Sequence, residues 1–233
     1  MGRPALVSLT FDDGLRCQFE RGLPILDRHG FRATFFLIAN TNPIHIDGGQ
    51  HPDWRKVDWS EQDNKLLKSM VQRGHEIGAH SITHDRTQLE ANPKGEVEDS
   101  KRWIEERLDV EVPSYCYPFY IVTEPIKNAV ISVGYKQARW GTKESYYSSH
   151  SQIDYFQVDC RQITTGENVD GWLQPGAWHI LTFHGIGTGN DGWEPIPVVE
   201  FERQMTELAK HRDSGAVEVV TFKEGADRLR RSK

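Results

Sequence analysis

Short apolar runs recur along this chain, each ending at a turn and each followed by a stretch with helical spacing. The first is Ala5–Phe11, and others fall at residues 33–38, 115–117, 135–138, 155–158, Trp178–Phe183 and 217–220. Their length and bounding turn residues read as buried strands. Between them, Leu23, Ile25 and Leu26 precede Gly30, and Leu66, Leu67, Met70 and Val71 precede Gly74, each set at helical spacing before a glycine stop. Residues 96–108, 125–133 and 199–211 read as further helices. Strands alternating with helices imply parallel βαβ units, hence an α/β fold. The number of runs suits a barrel better than an open sheet. A long polar stretch, from about Asn40 to Asp58, is expected to be a functional loop. No linker or composition shift divides the 233 residues, so a single domain is expected, large enough to bury a core without disulfides.

Charge narrows the partners. A net charge of -6 argues against nucleic acid or an anionic membrane surface, both of which need concentrated Lys and Arg. The one basic cluster, residues 228–233, reads as the solvated end of a terminal helix. Cys17, Cys116 and Cys160 have no paired spacing and suggest no disulfide framework. No leader-like segment or long apolar span is visible, so a cytoplasmic setting is expected. The oligomeric state has no signature.

The chemistry-bearing residues cluster at the ends of the apolar runs. Asp12 and Asp13 follow the first, with Gly14 behind them. His80 and His84 stand four apart, a spacing that puts both on one face of a helical turn. His184 follows Phe183. Two histidines and a carboxylate are a common ligand set for a catalytic zinc that keeps one position open for water. A second carboxylate and a third histidine are then free to act as base and acid. Adjacent side chains on a strand point to opposite faces, so Asp12 and Asp13 share a site only if the backbone turns there, which Gly14 permits. The set points to metal-assisted hydrolysis at strand ends, where α/β barrels keep their active sites. His179, at the far end of its strand, reads as structural. The glycine-rich residues 185–190 lack dinucleotide or phosphate-loop spacing.

The segments Thr10-Phe11-Asp12-Asp13-Gly14, His80-Ser81-Ile82-Thr83-His84, Tyr117-Pro118-Phe119, Asp159 and Leu181-Thr182-Phe183-His184 resemble, in order, those of the polysaccharide deacetylase family, carbohydrate esterase family four. The resemblance covers most of the chain and implies a distorted (β/α) barrel, with residues 1–233 forming one catalytic domain. It implies a divalent metal, usually zinc, held by Asp13, His80 and His84. It implies Asp12 as the base that activates water, His184 as the acid, Asp159 as the residue that orients His184, and the Tyr117 backbone N–H as an oxyanion donor. The expected reaction is removal of acetyl groups from a carbohydrate, N-acetyl ahead of O-acetyl. A metal-dependent amidohydrolase acting on a small non-sugar amide and a non-catalytic carbohydrate-binding relative are the alternatives.

Two positions depart from the family's pattern. The arginine that holds the base in many members is replaced by Cys116, with Arg139 and Arg161 as candidate substitutes. A tryptophan four positions after the motif aspartate is replaced by Ile163. Cys116 reads as a small buried filler rather than a soft ligand or reactive thiol. Trp54, Trp140, Tyr146, Tyr147, Trp172 and Trp193 are candidate sugar-stacking faces.

Overall fold

The structure is a computed structural model that describes residues 3–46, 49–51, 54–141, 146–149, 151, 153–171 and 173–231. The chain runs through β1 (Ala5–Phe11), α1 (Leu23–His29), β2 (Thr34–Leu37), β3 (Ile44–Ile46), β4 (Gly49–His51), α2 (Glu61–Gln72), β5 (Glu76–Ala79), α3 (Arg86–Ala91) and α4 (Pro93–Leu108). It continues through β6 (Ser114–Cys116), α5 (Glu124–Val133), β7 (Gln137–Arg139), β8 (Tyr146–Tyr147), β9 (Arg161–Gln162), β10 (Trp178–Phe183), α6 (Val198–Asp213), β11 (Val217–Val219) and α7 (Phe222–Arg231).

The main sheet is ordered β7-β6-β5-β2-β1-β10-β8, with β11 beside the start of β1 and β9 beside β10. Among the described residues its pairings are parallel except that of β8 with β10. The sheet curls until its ends meet. Val158 bridges to Arg139 on β7, and four residues on Gln162 pairs with Thr182 on β10. Residues 158–162 therefore form the seam of a distorted barrel within a single α/β domain, as the alternation of runs anticipates.

Alternation along β1 sorts the two faces of the wall. Val7, Leu9 and Phe11 join the large cluster beneath the helices, where Phe11 stacks on Phe35 at 4.8 Å and on Phe183 at 5.3 Å. The intervening Ser8 and Thr10 are buried polar residues, and Asp12 continues their period of two. Phe36, Cys116, Val158, Cys160, Trp178, Ile180 and Phe222 form a second buried cluster. The Trp178 indole donates to Ser8 Oγ at 2.9 Å, and Ser8 Oγ donates to the Thr221 carbonyl at 3.1 Å, fixing α7 to the barrel.

Helix boundaries follow local chemistry. Ser60 Oγ caps α2 by accepting from Asp63 N–H at 3.3 Å, and Asn92 caps α4 by accepting from Gly95 N–H at 3.2 Å. Gly30 ends α1 with φ 65°. Three readings shift. The run at 155–158 is a turn rather than a strand, because Asp154 Oδ1 accepts from Phe156 N–H at 2.9 Å and its carbonyl accepts from Gln157 N–H at 2.9 Å. Residues 76–79, not among the apolar runs, form the interior strand β5 between β6 and β2. The long polar stretch contains the hairpin of β3 and β4. Among the described residues no helix is long and apolar enough to cross a membrane.

Gly225 tests how tightly α7 is seated. A Cβ there would overlap the Trp178 indole, which is fully buried and held by Ser8. Gly225→Ala is expected to destabilise the fold by about 1–3 kcal/mol through overpacking. A denaturant midpoint equal to that of the unsubstituted protein would show that α7 has room to shift.

Candidate active site

The first two strand ends need unusual backbone. Asp13 and Gly14 follow β1 with φ values of 72° and 68°. These successive left-handed residues turn the chain so that both carboxylates reach one cavity. After β5, the segment from His80 to His84 is an irregular loop, not the expected helical turn. Ser81 has φ 62° and His84 φ 52°. Ser81 Oγ accepts from His84 N–H at 2.9 Å, and Glu96 accepts from Thr83 N–H at 3.0 Å and from its hydroxyl at 2.9 Å. Asn40 braces the same loop by donating to the Ile82 carbonyl. Side-chain hydrogen bonds outcompete a helical turn here.

The histidines still converge. Asp13 Oδ1 lies 3.4 Å from His80 Nε2 and 3.5 Å from His84 Nε2, and all three side chains are buried. A tetrahedral zinc with ligands at about 2.0–2.1 Å sets its donors about 3.3 Å apart, so the three atoms fit one such ion. His80 Nδ1 is engaged with the Cys116 carbonyl at 2.9 Å, which leaves Nε2 as the ligating nitrogen. Burial opposes the charge of Asp13, yet His80, His84 and His184 outweigh it and hold the carboxyl well below the usual range. A second set, Asp12, His80 and Cys116, also has its donor atoms within 4.8 Å of one another. The Arg139 guanidinium already sits on Asp12 and on Cys116 Sγ, so its positive charge opposes a cation there.

Arg139 resolves the arginine missing at position 116. Its side chain, fully buried, forms an ion pair with Asp12 Oδ2. It also donates to Cys116 Sγ at 2.7 Å, Cys160 Sγ at 2.8 Å and Thr182 Oγ1 at 2.9 Å. Arg161 instead pairs with Glu167 at 3.0 Å. Cys116 is a buried thiol whose ionisation burial pushes up. Ile163 is buried in the core.

His184 Nε2 lies 3.6 Å from Asp12 Oδ2, and both residues line the same cavity as Asp13. The fully buried Gln18 ties the two residues together, its amide donating to the Asp12 carbonyl at 2.6 Å and the His184 carbonyl at 2.9 Å. Asp12 Oδ1 is buried without a protein hydrogen-bond partner, among the described residues. An orphaned carboxylate oxygen beside a donor triad is what a site for a cation and its water would present.

Asp159 and Tyr117 are placed as follows. Asp159 is buried, accepts from Cys160 N–H at 3.0 Å and is not among the described residues that line the cavity. The side chain at His184 Nδ1 is Gln162, with Nε2 3.3 Å away. Tyr117 lines the cavity, but its N–H donates to the Arg139 carbonyl at 3.1 Å and is committed to the sheet rather than to an oxyanion. Of the aromatic candidates, Trp193 lines the cavity and is 49% exposed. Trp54 and Trp140 pack against buried clusters, Tyr146 stacks on His179 at 5.5 Å, and Tyr147 OH accepts from Asp159 N–H at 2.8 Å. Trp172 lies outside the described residues. His179 is structural, its Nε2 accepting from Gln174 N–H at 3.0 Å.

The cavity holds about 230 Å³ and is lined by Asp12, Asp13, His80, His84, Arg86, Tyr117, Phe119, Tyr120, His184 and Trp193. Arg86 and Tyr120 carry no sequence signal, and Phe119 belongs to a matching segment without a role assigned to it. Phe119 packs on His84 at 4.5 Å between ring centres, with Arg86 over its ring at 5.1 Å.

A curled α/β barrel with a buried Asp–His–His cluster at its mouth defines the class. A family model described as polysaccharide deacetylase matches residues 2–138, and the chain belongs to that family. It is similar to a chitin deacetylase of Colletotrichum lindemuthianum, 30% identical over 122 residues, which is 51% of this chain and 43% of that one. The chain thus spans less than half the length of the curated relatives it matches. Among solved structures, the family 4 acetyl xylan esterase of Clostridium thermocellum, in complex with a cobalt ion, has a TM-score of 0.62 at 21% identity over 96% of this chain and 91% of that chain. The Xyl-CE4 domain of a multidomain xylanase from the hindgut metagenome of Trinervitermes trinervoides has a TM-score of 0.62 at 19% identity, covering 97% and 91%.

Removing Arg139 takes the guanidinium partner from the buried Asp12 carboxylate. Arg139→Ala is expected to cost about 3–5 kcal/mol of stability. Adding Cys116→Arg to that variant is expected to recover part of the loss, because position 116 already touches the same guanidinium. Thermal unfolding of the single and double variants checks both statements, and equal midpoints for the two would disprove the exchange.

Proposed function

We propose that this protein is a metal-dependent hydrolase that removes acetyl groups from a carbohydrate. The observation that carries the reading is the convergence of Asp13, His80 and His84 on one point, with Asp12 and His184 facing each other beside it. Membership of the polysaccharide deacetylase family supports the substrate class. Removal of N-acetyl is favoured over O-acetyl, in keeping with the chitin deacetylase named among its relatives.

Asp13, His80 and His84 would hold the cation, and their carboxylate and imidazole donors suit zinc. Such an ion, when bound, makes water a stronger acid and polarises a carbonyl oxygen. Asp12 accepts the proton of the attacking water. Arg139 holds its Oδ2 and leaves Oδ1 free of protein partners for that task. His184, protonated and lining the same cavity, delivers a proton to the departing amine or alkoxide. Phe119 and Trp193 offer apolar faces to the acetyl methyl and the sugar ring.

Acetate release from N-acetylated chitin oligomers by the zinc-loaded protein is the direct test. Chelation is expected to abolish release and added zinc to restore it. Asp12→Asn is expected to lower kcat by about 10²–10⁴-fold, as loss of a general base does. The pH profile is expected to be bell-shaped, since one group works ionised and the other protonated. Unchanged turnover in Asp12→Asn would refute the base assignment. Glycan binding with no acetate release, metal supplied, would favour the non-catalytic alternative.

A further inference from the structure

The strand ladder beneath Asp12 and His184 stops just short of them. β1 and β10 stay in register to Phe11 opposite Phe183, and Asp12 N–H still reaches the Phe183 carbonyl at 3.1 Å. One residue on, the two chains part. Asp13 and Gly14 turn into the left-handed region, and Gly185 N–H goes to the Trp193 carbonyl at 3.4 Å. The Asp12 and His184 carbonyls both accept from one group, the Gln18 amide nitrogen, at 2.6 and 2.9 Å.

Two carbonyl acceptors on one nitrogen settle which end of the carboxamide faces them. Only the NH₂ end donates, and it has two hydrogens, one for each carbonyl. The other end, Oε1, is buried without a protein partner among the described residues. A buried amide oxygen with no donor opposes folding, so this side chain is retained for what its nitrogen holds. The backbone delivers it from an uncommon conformation. Gln18 opens the π-helical turn Gln18–Gly22, with its own N–H on the Leu15 carbonyl at 3.0 Å. Such turns recur at functional sites.

We propose that Gln18 is a positioning residue that sets the separation of Asp12 and His184, its amide serving as one further rung between β1 and β10. The inference rests on the reading of these two residues as base and acid. The histidine ligands have separate braces, since Asn40, Glu96 and Ser81 hold the loop from His80 to His84. Gln18 therefore acts on proton transfer and leaves cation binding alone.

Gln18→Met tests this, because it keeps the length of the side chain and removes both donors. Crystal structures of the zinc-loaded protein and the variant are expected to differ by about 1 Å in the Asp12 Oδ2 to His184 Nε2 separation, a displacement that can cost about 10²-fold in rate. Asp13, His80 and His84 are expected to stay in place. On an acetylated chitin oligomer, kcat is expected to fall by about 10–100-fold while KM stays within about twofold. The zinc dissociation constant is expected to change by less than about threefold, against about 10–100-fold when a ligand's own brace is lost. Gln18→Glu, with the same shape and at most one donor, is expected to change kcat in the same direction, and it serves if the methionine variant does not fold. An unchanged separation, an unchanged kcat, or zinc affinity falling in step with kcat overturns the proposal. If the unsubstituted protein releases no acetate, the deacetylase reading fails, while the crystal structures still decide whether Gln18 sets the spacing.

Discussion

The mouth of this barrel depends on the ion pair between Asp12 and Arg139. Both side chains are almost completely removed from water. A buried carboxylate costs several kcal/mol unless it is paired and hydrogen-bonded. Arg139 meets that requirement with donors to Asp12, Cys116, Cys160 and Thr182. Asp12 follows β1 and Arg139 ends β7, strands that are not neighbours in the sheet. The pair therefore crosses the barrel, joins opposite walls and fixes where the free oxygen of Asp12 stands. A thiol at position 116 leaves room for a guanidinium arriving from the next strand.

Around that pair, backbone strain and hydrogen-bonded bracing go together. Asp13, His84, Phe119 and Tyr120 all have positive φ and all line the cavity. Left-handed non-glycine residues persist where surrounding contacts over-determine them, and they concentrate at functional sites. The bracing is visible: Gln18 holds the carbonyls of Asp12 and His184, while Asn40 and Glu96 hold the loop between His80 and His84. These groups fix side chains that a flexible loop would leave scattered.

The sequence was most legible where one short motif holds all its own information. The apolar runs before Asp12 and His184 gave their strands, and the Asp-Asp-Gly turn gave the convergence of two carboxylates. What spacing could not disclose was contact between distant stretches. Arg139 and Arg161 are equally charged, and only the path across the interior separates the one on Asp12 from the one on Glu167. Pairing with β10 begins at Arg161, and Gln162 is the side chain beside His184 Nδ1, a register that spacing alone does not give for Asp159. The His80–His84 spacing fitted a helix, but the Ser81 and Thr83 hydroxyls accept local bonds from His84 N–H and Asp85 N–H instead. Tyr117 looked available until its N–H proved to belong to the sheet.

The seam at residues 158–162 does two jobs. It closes the ring, by a bridge from Val158 to Arg139 on one side and by the two pairs of β9 with β10 on the other. The same stretch carries Cys160, which touches Arg139, and Gln162, which touches His184. A substitution that shifts this stave therefore acts on the wall and on the mouth together.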